Sequence, residues 1–99
     1  MNYSRARIEI VYDVLLFVRN EISGAKPTHI LYKANLSPRL LNRYLRVLVD
    51  DGLIKRVKIE NKIKYKITKK GMNFIKILKK LDKMTRIVNL SYCHRFKRS

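Results

Sequence analysis

The chain has 99 residues and sets 24 Lys and Arg against 7 Asp and Glu, for a net charge of +17. That length holds one hydrophobic core and leaves no room for a second, while so basic a monomer repels itself unless a polyanion offsets the charge, which makes nucleic acid the expected partner. The single Cys93 excludes an internal disulfide and a cysteine-based zinc site, and the longest apolar run, Val14 to Val18, is too short to span a bilayer.

From about Arg5 to Ile22 the positions Ile8, Val11, Tyr12, Leu15, Val18 and Ile22 follow helical spacing, with Ile10, Val14 and Phe17 forming a second apolar row. A helix apolar on two sides needs two covers: its own core, and either the C-terminal helix or a second chain. Ser23-Gly24-Ala25-Lys26-Pro27 ends it, with Gly24 expected at the C-cap. Thr28 is expected to cap a short helix, His29 to Ala34, with Ile30 and Leu31 inward and Tyr32 and Lys33 near a phosphate backbone. His29 has no cysteine, histidine or carboxylate at ligand spacing and is read as an ordinary surface residue.

The stretch from Asn35 to Gly52 carries the strongest local signals. Ser37 offers a capping hydroxyl, Pro38 has its φ preset for the first helical position, and Gly52 supplies the stop. Between them Leu41, Tyr44, Leu45 and Leu48 form one face, and Arg39, Asn42, Arg43 and Arg46 recur on another. Guanidinium forks with an interleaved amide suit guanine and adenine edges as well as phosphates. The bland alternative is a solvated basic face on an ordinary amphipathic helix. Because a short helix and a tight turn precede it, we read a helix-turn-helix whose second helix reads DNA, with Ser37, Arg39, Asn42, Arg43 and Arg46 as the contact residues.

After Gly52 the period changes to two. Val57, Ile59, Ile63, Tyr65 and Ile67 alternate with Lys58, Lys62, Lys64 and Lys66, which predicts a hairpin turning at Glu60-Asn61-Lys62, apolar on one face and lysine-combed on the other. Such a comb commonly protects a strand edge. Following a cationic helix, it reads as a wing on the DNA backbone, with Lys33 joining it.

Thr68 is then expected to cap a last helix from Lys69 to about Leu90. Phe74, Ile77, Leu81, Met84 and Val88 form a heptad-like seam, with Ile75 and Leu78 on the adjacent stripe. The distal seam outruns the core of one domain and predicts a homodimer; the alternative is packing back on the first helix. The tail, Ser91 to Ser99, mixes basic and aromatic residues and suits nucleic acid when ordered by it. Cys93 and His94 within it lack an orienting third group, so no nucleophile is assigned. Scattered acidic residues, two His and one Cys make no acid-base pair, metal cluster or phosphate-cradling glycine loop, so the expectation is a non-enzyme without metal or cofactor.

The element order, with Tyr65-Lys66-Ile67-Thr68-Lys69-Lys70-Gly71 closing the hairpin and Phe74-Ile75 following, resembles winged-helix transcription regulators of the MarR-like and PadR-like groups. Arg7-Ile8-Glu9-Ile10, Tyr32-Lys33-Ala34-Asn35-Leu36-Ser37, Arg43-Tyr44-Leu45, Leu53-Ile54 and Thr68-Lys69-Lys70-Gly71 are similar to the small archaeal winged-helix proteins typified by the ten-kilodalton chromatin-associated proteins of Sulfolobus, over about residues 5 to 90. The resemblance implies an antiparallel coiled-coil dimer through the last helix, with recognition helix and wing on DNA. The last helix here is shorter than that family's, and the basic-aromatic tail has no counterpart in it.

The expected architecture is therefore mainly α with a β-hairpin wing (α+β), a winged helix-turn-helix with a C-terminal dimerisation helix. Residues 1–68 form the DNA-binding region, 69–90 the dimerisation helix and 91–99 a basic tail. The expected partners are double-stranded DNA and a second copy of the chain, with no membrane, in a cytoplasmic, nucleoid-associated setting. The alternative is a winged-helix module docking protein or RNA in a transcription or processing complex.

Overall fold

A computed structural model describes residues 7–85, with side chains through Leu81. Its elements are α1 (Arg7–Asn20), α2 (Pro27–Ala34), α3 (Pro38–Asp50), β1 (Ile54–Ile59), β2 (Lys62–Ile67) and α4 (Lys69–Thr85). Residues 1–6 and 86–99, including Val88 and the basic tail, lie outside the described residues, as does the Met84 side chain.

Both apolar rows of α1 are covered by its own chain. Val14, Leu15 and Val18 are fully buried, and Ile10 and Tyr12 nearly so, because α2, β2 and α4 all pack on this helix. Ile22, expected on the helix, lies beyond its end at Asn20 and is exposed. Gly24 is not a helix cap. At φ +106 it leads into Ala25, which exchanges both backbone hydrogen bonds with Tyr65 (2.8 and 2.9 Å) and so adds a one-residue third strand beside β2.

Helix α2 begins two residues earlier than the spacing implied. Pro27 occupies the first turn, with Lys26 as an N-cap that makes no side-chain hydrogen bond, so Thr28 caps nothing. The fixed φ of proline starts the helix without a capping hydroxyl.

Helices α2 and α3 both end in the same backbone device. Asn35 (φ 56) lets Leu36 N–H donate to Leu31 C=O at 3.0 Å, and Gly52 (φ 77) lets Leu53 N–H donate to Leu48 C=O at 2.9 Å. Each is a six-to-one closure that needs one left-handed residue, which glycine and asparagine accept most readily. Leu36 and Leu53, carried just past those closures, are turned into the core. The three residues Asn35-Leu36-Ser37 thus complete a helix-turn-helix. Ser37 caps α3 as expected, its Oγ accepting from Leu40 N–H at 3.3 Å. Leu41, Leu45 and Leu48 anchor α3 in the core, each burial contributing about 1.5–3 kcal/mol.

Strands β1 and β2 pair antiparallel with Ile59 opposite Lys62 and Ile54 opposite Ile67. The loop has two residues, Glu60 (φ 51) and Asn61 (φ 65), both left-handed as a primed hairpin turn requires. This corrects the expected division of the faces. A three-residue turn would pair odd positions with odd and keep Val57, Ile59, Ile63, Tyr65 and Ile67 on one side. The two-residue turn pairs odd with even, and a one-residue change of register reverses the side chains of one strand relative to the other. Ile54, Ile63, Tyr65 and Ile67 therefore face the core in company with Arg56 and Lys58, whereas Val57 and Ile59 share the outer face with Lys55, Lys62, Lys64 and Lys66.

The start of α4 is tied to the α3–β1 turn. The Thr68 hydroxyl lies 2.6 Å from Gly52 C=O and 2.9 Å from Leu53 C=O, to which pair it donates, while accepting from Gly71 N–H at 3.0 Å. Lys70 Nζ donates to Asp51 C=O at 2.7 Å. A Cβ on Gly71 would run into the Leu53 carbonyl oxygen and Ile67, so the glycine is what allows α4 to sit on that turn. Further along, Ile75 and Leu78 enter the core, and Ile77 and Leu81 are 52% and 47% exposed.

Candidate nucleic-acid interface

The outward side of α3 is continuous and cationic. Arg39, Asn42, Arg43 and Arg46 are all exposed, on the surface opposite the buried leucines, as their spacing required. Tyr44 is half-buried and Val47 is 49% exposed, so the helix also shows a narrow apolar strip toward α1. Between that strip and α1 lies a groove of about 400 Å³ lined by Arg7, Val11, Leu40, Arg43, Tyr44 and Val47 among others. Lys33 and Tyr32 on α2 are exposed, with Tyr32 at 78%.

The hairpin contributes differently from what alternation implied. A cleft of about 360 Å³ separates α3 from the hairpin and is lined by Asn42, Arg46, Val49, Asp50, Arg56 and Tyr65 among others. Arg56 sits opposite Tyr65 in the ladder, and Lys58 opposite Ile63, on the side that faces α3. Arg56 was not among the residues singled out from the sequence. Adding the positions across a two-residue loop would have found it, since the sum fixes which residues share a face. Lys62 is exposed next to the turn, and Lys64 and Lys66 are half-buried on the outer face, away from α3.

The seam residues of α4 are only partly assembled. Phe74 packs against the core, Ile77 and Leu81 remain on the surface, and the Met84 side chain and Val88 fall outside the described residues. Among the described residues no group of acidic, histidine or cysteine side chains has metal-ligand geometry, and no helix is long and apolar enough to cross a membrane.

The sequence matches the family profile described as winged helix-turn-helix over residues 4–86, which takes in every element above. The chain belongs to the winged helix-turn-helix family. Its membership places it among binding proteins rather than enzymes. The DNA-binding protein Sso10a-2 from Sulfolobus solfataricus superposes with a TM-score of 0.71 and 22% identity, covering 85% of each chain. A MarR family protein from Bacillus stearothermophilus superposes with a TM-score of 0.64 and 19% identity, covering 89% of this chain and 62% of that one. At such identities the likeness establishes the fold, and it bears out the resemblance at that level. A Methanocaldococcus jannaschii protein without an assigned function is 30% identical over 69 residues, which are 70% of this winged helix-turn-helix chain and 65% of its relative. The chain thus spans just under two thirds of that relative's length.

Proposed function

We propose that this winged helix-turn-helix chain is a homodimer that binds double-stranded DNA, with α3 in the major groove and the hairpin on flanking phosphates. One observation carries the reading: α3 buries its leucines on one side and presents Arg39, Asn42, Arg43 and Arg46 together on the other, with Ser37 at its N-cap. Arginine forks and an asparagine amide on a helix of this diameter suit base edges in a groove wide enough to admit it. Arg56 and Lys58, on the α3 side of the hairpin, and Lys62 at its tip are placed for phosphates of the same duplex, and Lys33 with exposed Tyr32 for phosphates on the other flank. That Sso10a-2 is a DNA-binding protein with the same fold supports the reading.

The dimer is proposed from α4. The stripe adjacent to Ile75 and Leu78 carries Ile77 and Leu81 at about half exposure, on the seam that Met84 and Val88 continue in sequence. In this arrangement residues 1–68 bind DNA, 69–90 pair with a second copy, and 91–99 add basic and aromatic contacts. Nucleoid association follows from such binding. With few acidic residues to reject wrong sites, the specificity ratio falls near the low end, about 10³, which suits broad DNA coverage better than a single operator.

A second reading, docking of a protein partner, draws on the apolar groove beside α1 with its exposed Val47. Filter binding of duplex DNA, RNA and heparin at matched salt separates the two. The proposal expects duplex DNA to be retained most tightly; retention of heparin and RNA equal to that of DNA removes the groove-reading role of α3.

A further inference from the structure

We infer that the outer face of the hairpin is a second nucleic-acid surface, which holds a duplex other than the one in contact with α3. The inference rests on the DNA reading of α3 and extends it to the reverse side of the ribbon. Register is its basis. Lys55 pairs with Lys66, Val57 with Lys64 and Ile59 with Lys62, so four ammonium groups share the face turned away from α3 and from the core. Neither strand contains an acidic residue.

Solubility or edge protection does not account for this arrangement. Lysines protect a sheet when they stand on an edge strand, and β1 is such an edge. Lys64 and Lys66, however, lie on β2, which has β1 on one side and the Ala25 bridge on the other. Like charges directly opposite in a ladder destabilise it, and Lys55 faces Lys66 directly with Lys64 as its diagonal neighbour, at roughly 7–8 Å. A polyanion laid across the three removes that repulsion. The stem of Lys64 is also held in place: it crosses the backbone at Gly24, where an added Cβ would stand 2.9 Å from Lys64 Cβ and 3.1 Å from its Cδ. The missing side chain at Gly24 makes room for the lysine.

The partner that fits is a rigid polyanion rather than a membrane. Val57 and Ile59 are the only apolar side chains of the two strands on this face, both half-buried between lysines, and neither strand adds an aromatic side chain there to enter a lipid interface. Because Arg56 and Lys58 point to the α3 side, a duplex seated on α3 leaves Lys55, Lys64 and Lys66 facing outward. A duplex on that face is therefore a second one.

The test uses the full chain, one biotinylated duplex on beads and a second, fluorescent duplex in solution. The parent is expected to capture the second duplex. The triple variant K55Q/K64Q/K66Q is expected to keep its affinity for a single short duplex within about threefold, to lose capture at least tenfold, and to lower the salt slope of capture by about 2.7, from roughly 0.9 per phosphate contact. Lys55→Glu serves as the independent variant: it sets an attractive pair against Lys66, so its melting temperature should rise while capture falls. The inference is overturned if the parent captures nothing, if the triple variant captures as well as the parent, or if single-duplex affinity and capture fall together, since the comb then serves the same duplex as α3. Binding of the parent, and not of the triple variant, to vesicles of phosphatidylserine and phosphatidylcholine, with capture unchanged, would assign the face to a membrane instead. Arg43→Ala is run in parallel: unaltered single-duplex binding in that variant defeats the α3 reading while leaving the capture result to stand or fall by itself.

Discussion

Thr68 and Gly71 show how a short motif is set by packing. The hydroxyl of Thr68 caps α4 and donates to the carbonyl pair at the α3–β1 turn, so Thr68→Ala should destabilise the fold by about 1–2 kcal/mol, read from denaturant midpoints. Gly71 gives a sharper expectation because two effects oppose each other. In an exposed helix Gly→Ala stabilises by about 1 kcal/mol; here the new methyl meets the Leu53 carbonyl, and overpacking of that kind costs about 1–3 kcal/mol. Gly71→Ala should therefore lower the melting temperature, and a rise would mean that α4 does not rest on that turn. The Thr-Lys-Lys-Gly run was legible in the sequence as a resemblance, and Thr68 as a cap. The reason for Gly71 was not legible, since it lies in a carbonyl brought close by the chain's path through β1 and β2. Thr28 misled because its capping chemistry is real in general, and Pro27 immediately before it made the chemistry unnecessary.

At the scale of elements, α3 was readable almost completely, because cap, proline, leucine period and glycine stop all agree within one stretch. The hairpin was readable as a hairpin and misread in its faces. Its period of two is obvious, but which residues share a side depends on whether two or three residues make the turn, and Glu60 gives no local sign that it will adopt a left-handed conformation. The single bridging residue Ala25 was likewise invisible, being fixed by where Tyr65 passes rather than by any strand-like run around it. The two rows of α1 were correctly seen as needing two covers, and α2, β2 and α4 supply them within one chain. The proposed pairing with a second copy therefore draws on α4, where Ile77 and Leu81 are about half exposed. Replacing Leu81 by Asp should place a charge in that contact and weaken association by several kcal/mol. Sedimentation velocity at tens of micromolar reads it: the parent should run as a dimer and Leu81→Asp as a monomer, while a monomeric parent would contradict the assignment of α4.

For the molecule as a whole, charge and shape act together. In the proposed dimer two copies of +17 sum to +34, so its encounter with DNA should be dominated by release of counterions. With about four phosphates neutralised per protomer, the logarithm of affinity should fall against the logarithm of salt with a slope near −7. A flat response would contradict the electrostatic part of the account. Charge alone, however, does not distinguish a reading helix from a sticky surface, and the same slope would arise from lysines anywhere on the chain. What separates them is whether affinity depends on α3 beyond its share of charge. Fluorescence anisotropy of one duplex should therefore compare the parent, R43A/R46A, and K76A/K79A, which removes two exposed lysines from α4, at matched salt. Both variants lose two charges. The account expects R43A/R46A to bind at least about 30-fold more weakly, from 1–3 kcal/mol per base-contacting arginine, and K76A/K79A to stay close to the parent. Equal losses in the two variants, or binding by R43A/R46A that matches the parent, would contradict the assignment of α3 as the helix that reads DNA.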